Sequence, residues 1–155
     1  MKSITYIQGD ATQPIGEDRK ILIHCCNDIG KMGAGVAAAI ARKWPSVRSD
    51  YLKWYRGGKG FKLGAVQFIK VEDDIVVGNM IGQHGIRTQG KVPPIRYGAI
   101  SKCLEKVGIA AIRNKASIHC PRFGSALAGG SWDKIEGLIN IHLCSKDLSV
   151  TVYSL

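Results

Sequence analysis

The sequence has no hydrophobic run approaching the roughly 20 residues that a membrane-spanning helix needs, although 45% of its 155 residues are hydrophobic. Residues 1–7 (MKSITYI) also lack the apolar segment of a secretory signal, and their pattern is that of a β-strand. We therefore expect a cytoplasmic protein that makes no contact with membranes.

Disulfide and metal-binding patterns are missing as well. The chain has five cysteines, an odd number, and none of them stands in a C-x-x-C pair. Cys25 and Cys26 are adjacent in a strand-like segment and should point to opposite faces, which makes them poor joint ligands. His, Cys and Asp residues do not cluster at ligand spacing. A chain of this length buries about two-thirds of its unfolded surface and so needs no disulfide or metal for stability. We expect the cysteines to be buried thiols, and we expect no metal and no cofactor.

Acidic residues are few. Twelve Asp and Glu stand against 22 Lys and Arg, which gives a formal net charge of +10. Such a charge favours anionic partners, whether nucleotides, polyphosphates or nucleic acid. The basic residues are scattered, however, and no RNA- or DNA-binding module is recognisable. Nucleic acid is therefore a possible partner but not the favoured one, and the sequence carries no signal for an oligomeric state.

Short β-branched segments alternate with helical patterns along the whole chain. This alternation predicts one α/β domain over residues 1–155. We predict strands at 4–8, 21–26, 65–71, 75–80, 117–121 and 149–153, and helices at 35–43, 46–55, 95–112 and 132–143. Residues 72–74 are too short for a crossover helix, so the strands they join should form an antiparallel hairpin in a mixed sheet. Continuous apolar strands indicate helices on both faces of that sheet.

Two glycine-rich loops each lie between a buried strand and a helix. The first loop, residues 27–36, has the spacing G-x-x-G-x-G, which is neither the dinucleotide fingerprint nor a P-loop and so argues against an ATPase. The second loop spans residues 121–130. Such loops bring backbone N–H groups close to an anion, although turn glycines also serve purely steric purposes. At the carboxyl ends of central strands, both should face one ligand crevice.

A third segment, residues 9–12 (GDAT), follows the first strand. Its carboxylate, Asp10, can accept a hydrogen bond from an exocyclic amine such as that of adenine. It can equally cap the turn that follows.

These segments, in this order, carry a family resemblance. The chain resembles a macro domain in residues 9–12, in 21–27 (ILIHCCN) leading into the loop 30–36, in 121–127 (PRFGSAL) and in the terminal 152–155 (VYSL). The resemblance runs almost end to end, and within the family it is closest to the ADP-ribose-1″-phosphate phosphatases and terminal ADP-ribose protein glycohydrolases. It implies a three-layer α/β/α sandwich with a mixed central sheet that binds ADP-ribose or a derivative of it.

The resemblance also implies where the ligand lies. Asp10 would hold the adenine amine and Asn27 the distal ribose, while Tyr153 would lie near the adenosine. The first loop would follow the distal ribose and diphosphate, and the second would wrap the diphosphate. The residues so assigned to ligand binding are Gly9, Asp10, Ala11, Asn27, Gly33, Gly35, Val36, Gly124, Ser125, Ala126, Leu127 and Tyr153.

Catalytic residues are harder to assign. The glycohydrolase branch uses a lysine nucleophile and an aspartate, but Gln83 and Ala128 stand at the corresponding positions, and neither can form a Schiff base or move a proton. His24 matches a histidine of the phosphatase-like branch, although an apolar strand also suits a buried structural histidine. Asp28 opens the first loop and can activate a water, and we predict that Gln83 and His84 form the rim of the site.

Three functions follow from these residues. The first is hydrolysis of a phosphate or acyl group on the distal ribose, with His24 and Asp28 as catalytic residues. The second is a non-catalytic ADP-ribose reader that uses the same loops. The third and weakest is nucleic-acid binding through the positive charge, which would depend steeply on salt.

Overall fold

The described residues form a framework of six strands and four helices. In a computed structural model, which describes residues 1–126 and 128–155, the strands are β1 Thr5–Gln8, β2 Arg19–Asn27, β3 Val66–Glu72, β4 Ile75–Gln83, β5 Ala116–Pro121 and β6 Val150–Ser154. The helices are α1 Gly35–Lys43, α2 Pro45–Gly57, α3 Tyr97–Asn114 and α4 Trp132–His142, with a short 3-10 helix at Cys144–Lys146. No helix in the described part of the chain is long and apolar enough to cross a membrane.

The strands form a single sheet in the order β1-β6-β5-β2-β4-β3. All neighbouring pairs are parallel except β3 and β4, which are antiparallel. The predicted hairpin and mixed sheet are therefore confirmed. Because the chain runs from β2 towards β3 and β4 on one side and later to β5 and β6 on the other, β2 lies at the centre.

Each face of the sheet is covered by its own pair of helices. Alternate residues of β2 point to opposite faces, so Leu22 packs in the cluster beneath α1 and α2, whereas Ile21 and Ile23 pack beneath α3 and α4. Cys25 and Cys26 likewise fall in different clusters, as predicted. The three-layer α/β/α architecture is confirmed.

Two boundaries differ from the prediction in ways that matter for the site. Strand β4 continues beyond Met80, where the predicted strand ends, to Gln83, and it therefore includes Gly82. Helix α3 begins at Tyr97 rather than at Ile95, because Ile95 pairs with Gln83 and Arg96 is extended (φ −126°, ψ 103°). The backbone N–H groups of Ile95 and Arg96 donate to Ala128 O (3.1 Å) and Gly82 O (2.9 Å). These bonds tie the segment before α3 to both sides of the crevice.

Candidate functional site

The two glycine-rich loops leave neighbouring parallel strands at the same edge of the sheet. The first loop connects β2 to α1 on one face, and the second connects β5 to α4 on the other face. The connections therefore diverge at this point of the strand order. Open α/β sheets bind ligands at such a switch point, outside the carboxyl ends of the strands.

A cavity of about 550 Å³, hereafter the main cavity, lies between the two loops. Eight of the predicted site residues line this cavity, and Met32, Arg122 and Phe123 line it as well. The predicted residues that line it are His24, Asn27, Gly33, Gly35, Val36, Gln83, Gly124 and Ala126. The structure thus brings the two loops together around one space, and ligand contact by these residues stays a prediction.

The other predicted residues lie outside the main cavity. Asp28 and His84 form a pair beside it, and Leu127 is outside the described residues. The residues that do not line it although the structure describes them are Gly9, Asp10, Ala11, Asp28, His84, Ser125 and Tyr153.

Hydrogen bonds of the Asn27 side chain fix the shape of the first loop. Its Oδ1 accepts from the N–H groups of Ile29 and Lys31, both at 3.1 Å, and its Nδ2 donates to Lys31 O at 2.6 Å. The buried hydroxyl of Tyr51 bonds to Asn27 O (2.7 Å) and Oδ1 (2.9 Å). Burial is the main reason that the pKa of Tyr51 is raised. The hydrogen bonds of Asn27 therefore organise the loop.

The second loop closes on itself by a backbone hydrogen bond from Gly130 N to Gly124 O, 2.8 Å long. Gly124 has φ +74°, and a Cβ there would stand 2.7 Å from Cδ1 of Ile95, so both conformation and space favour glycine. Ser125 turns its hydroxyl back to Arg122 O at 2.7 Å instead of facing the main cavity. The guanidinium of Arg122 lies over the Tyr6 ring, at 5.3 Å from its centroid.

Asp10 caps the turn after β1. Its Oδ1 accepts from both Thr12 N and Thr12 Oγ1 at 2.8 Å, and these bonds are the main reason that the pKa of Asp10 is lowered. Its side chain is exposed, so the capping role leaves Oδ2 accessible to a donor. Both interpretations of this carboxylate, as cap and as adenine acceptor, are compatible with the geometry.

Tyr153 anchors the segment that carries Asp10. Its hydroxyl accepts from Ile15 N at 3.0 Å and pairs with Nδ1 of His119 at 2.6 Å, and the ring is buried. Nε2 of His119 in turn pairs with Oγ of Ser117 at 2.7 Å. His119 is not among the predicted site residues, and its only signal in the sequence is a histidine inside an apolar strand.

His24 lines the main cavity, but its side chain is almost fully buried. Only 2% of its surface is exposed, and its Nε2 bonds to Oδ1 of Asn79 at 2.5 Å. Burial lowers the pKa of His24 to about 4, so the ring is neutral at physiological pH. Its Nδ1 has no hydrogen-bond partner within the described part of the chain. The catalytic role predicted for His24 stays a prediction.

Asp28 and His84 meet where β2 and β4 end. Asp28 Oδ2 is 2.7 Å from Nδ1 of His84, and Asp28 Oδ1 accepts from Gly85 N at 2.8 Å. The carboxylate is largely shielded, with 17% of the side chain exposed, whereas 49% of the His84 side chain is exposed. Both residues were predicted at the site but not as a pair, since 56 positions separate them along the chain.

A register shift produces this pairing. Cys26 is opposite Ile81, whereas the next residue, Asn27, is opposite Gln83, so Gly82 is an extra residue in β4. Such bulges re-aim side chains at functional sites. A Cβ on Gly82 would stand 2.3 Å from Cδ1 of Ile100 and 2.8 Å from Sγ of Cys25, so a larger residue at the bulge would force these side chains to move.

Comparison with known structures gives close matches over the whole chain, although no family model matches. A protein of unknown function from Bacteroides thetaiotaomicron is 49% identical, with a TM-score of 0.97, covering 99% of this chain and 98% of the other. A macrodomain protein from Streptomyces coelicolor is 42% identical, with a TM-score of 0.88, covering 99% of each chain.

Among curated proteins, the chromodomain-helicase-DNA-binding protein 1-like of Mus musculus is 31% identical over 97% of this chain. The chain spans only 18% of the length of that relative and 15% of its Danio rerio counterpart. The ADP-ribose 1″-phosphate phosphatase of Candida albicans is similar over nearly its whole length: it is 24% identical over 90% of this chain and 96% of its own.

Proposed function

The chain belongs to the macro domain family, and from this premise we propose that its main cavity binds ADP-ribose and that the protein hydrolyses a phosphate or acyl group carried by the distal ribose. The observation that carries the proposal is the convergence of two glycine-rich loops on one cavity at the switch point of the sheet. The cavity volume of about 550 Å³ lies within the usual range for small-molecule sites.

The backbone of the loops supplies the chemistry for a diphosphate. Gly33 and Gly35 are exposed at the cavity, and helix α1 begins at Gly35, so its N-terminal N–H groups and dipole favour an anion there. The same preorganised donors can stabilise negative charge that develops when water attacks a group on the distal ribose. A relative named as an ADP-ribose 1″-phosphate phosphatase supports this reaction class.

A reader function is the second candidate, and specific residues favour it. Gln83 and Ala128 line the main cavity where the glycohydrolase branch places its lysine and aspartate. His24 has its Nε2 bonded to Asn79 and is buried. A protein that only holds ADP-ribose needs none of these groups to transfer protons.

Isothermal titration with ADP-ribose, beside ATP and NAD at two salt concentrations, tests the binding proposal. We expect selective binding of ADP-ribose that changes little with salt, because the oriented N–H groups of a partly enclosed cavity are screened less than surface charges. Absence of binding at millimolar ADP-ribose would refute the proposal. Binding of DNA or RNA with a steep salt dependence would then favour the nucleic-acid alternative.

Turnover separates the enzyme from the reader. ADP-ribose-1″-phosphate and an ADP-ribosyl ester would be incubated with the protein, and release of ADP-ribose would be followed by chromatography. Hydrolysis of either compound supports the enzyme. Binding of ADP-ribose without any release establishes the reader.

A further inference from the structure

A second, smaller pocket adjoins the main cavity. This side pocket, of about 300 Å³, shares Lys31 and Ile86 with the main cavity. Lys31, His84 and Arg87 give it three basic side chains, all of them exposed, and none of the described residues that line it is acidic. The side pocket therefore attracts an anion beside whatever fills the main cavity.

The Asp28–His84 pair is built as a fixed acid–base unit at the side pocket. Both carboxylate oxygens of Asp28 are engaged, one by His84 and one by Gly85 N, so the imidazole is held by its Nδ1. Backbone hydrogen bonds from Asp28 N to Gln83 O (3.1 Å) and from His84 N to Pro94 O (2.8 Å) hold both partners in place. A carboxylate on one ring nitrogen, with the other left for the reaction, is the arrangement of an oriented general base.

We propose that the side pocket receives a phosphate monoester carried by the distal ribose, and that His84, positioned by Asp28, is the catalytic acid–base group of its hydrolysis. The inference rests on the proposed function, since it places ADP-ribose in the main cavity. It favours a phosphate over a neutral acyl group because Lys31 and Arg87 offer two cations to the substituent. A dianionic phosphate uses such cations, whereas an uncharged acyl group does not.

The step is a single displacement by water at phosphorus. Nε2 of His84 takes a proton from the water as its oxygen bonds to phosphorus, and the bond from phosphorus to the ribose oxygen breaks. The imidazolium returns the proton to that ribose oxygen. The products are ADP-ribose and inorganic phosphate, so the atoms balance without any co-reactant.

Binding to a variant that cannot turn over tests the anion subsite. In H84Q, ADP-ribose-1″-phosphate should bind about tenfold tighter than ADP-ribose, and adding R87Q should bring the two affinities within about threefold of each other. Adding R113Q instead, at an exposed arginine in the last turn of α3, should leave the preference intact. Equal affinities in H84Q, or a preference insensitive to R87Q, would overturn the proposal.

Turnover tests His84 itself. H84Q should lower kcat for ADP-ribose-1″-phosphate by about 100-fold or more, the usual contribution of a positioned acid–base group, with the Kd for ADP-ribose changed by less than about threefold. Undiminished turnover in H84Q, or a parent protein that binds ADP-ribose but releases no phosphate, contradicts the proposal and leaves ADP-ribose binding intact. Failure of the parent to bind ADP-ribose at all refutes the proposed function instead.

The positioning role of Asp28 has a spectroscopic readout. In D28N the new amide can still accept from Gly85 N, but its Nδ2 must donate to His84 Nδ1, which forces the proton of the neutral ring onto Nε2. The ¹⁵N shifts of the His84 ring at pH 8 should therefore interchange between parent and D28N, and kcat should fall with KM nearly unchanged. An unchanged tautomer together with unchanged kcat would show that Asp28 does not position His84.

Discussion

Replacing Gly124 by alanine tests whether the second loop depends on glycine for its shape. At φ +74° an alanine costs about 1–2 kcal/mol of backbone strain. Its Cβ would also stand 2.7 Å from Cδ1 of Ile95 and 3.2 Å from Cδ1 of Ile135, an overpacking that costs about 1–3 kcal/mol more. We expect the free energy of unfolding to fall by about 2–5 kcal/mol, a large share of the usual 5–15 kcal/mol or so.

Urea denaturation followed by circular dichroism measures this loss. The matched control is Gly33→Ala, because Gly33 lines the same cavity, yet a Cβ there meets nothing within 4 Å and its φ lies outside the left-handed region. We expect the control to stay within about 0.5 kcal/mol of the parent. Equal stabilities of the two variants would refute the reasoning, since strain and crowding at Gly124 would then have no measurable cost.

Three further predictions concern ligand binding, pH and the segment anchored by Tyr153. Gly33→Val should keep the stability of the parent but weaken ADP-ribose binding by about tenfold or more in calorimetry, because its side chain occupies the open space at the cavity; unchanged affinity would place the diphosphate elsewhere. Burial lowers the pKa of His24 and of His119 from 6.5 to about 4. The two histidines therefore make their full contribution to the free energy of unfolding above about pH 6.5, and this contribution is lost as the pH falls towards 4. Urea titrations should show a loss of about 2 kcal/mol per histidine between pH 7 and 4.5, and H119Q should lose about half as much as the parent; an equal loss would contradict the assignment. Tyr153→Phe deprives Ile15 N of its acceptor and should speed hydrogen exchange at that amide; unchanged exchange would show that the hydroxyl does not anchor the segment.

The fold was largely predictable because each level of the sequence pattern agrees with the next. All ten predicted strands and helices are present. The apolar segments at β2 and β5 predicted burial on both faces, and Glu72-Asp73-Asp74 left room only for a hairpin. Element ends were less accurate, as the late start of α3 shows, because Ile95 pairs with Gln83 of β4 and the chain is still extended at Arg96. Local periodicity contains no information about such partners.

The positions of the two loops of the candidate site could be predicted, because they depend only on where strands end. Contacts that depend on the register between neighbouring strands could not. The two loops could be placed at one crevice because parallel strands end at the same edge of a sheet. The environment of the His24 side chain could not be predicted, because a histidine in an apolar strand can point towards a ligand or towards a polar partner such as Asn79. The contact between Asp28 and His84 could not be predicted for a different reason. It depends on an extra residue in β4, and the predicted strand ended at Met80, before that residue.

That extra residue links the fold to the chemistry. In an unbroken parallel register Asn27 would be opposite Gly82, and His84 would lie one position beyond Asp28. The bulge at Gly82 moves Gln83 opposite Asn27 and brings His84 to Asp28. Gly82 is confined by Ile100 and Cys25, so the core beneath α3 dictates the register at the sheet edge. This chain has Gln83 and Ala128 where the glycohydrolase branch has a lysine and an aspartate, yet it holds a paired carboxylate and imidazole beside the main cavity. Close packing around Gly82 of β4 sets the register that brings these two side chains together.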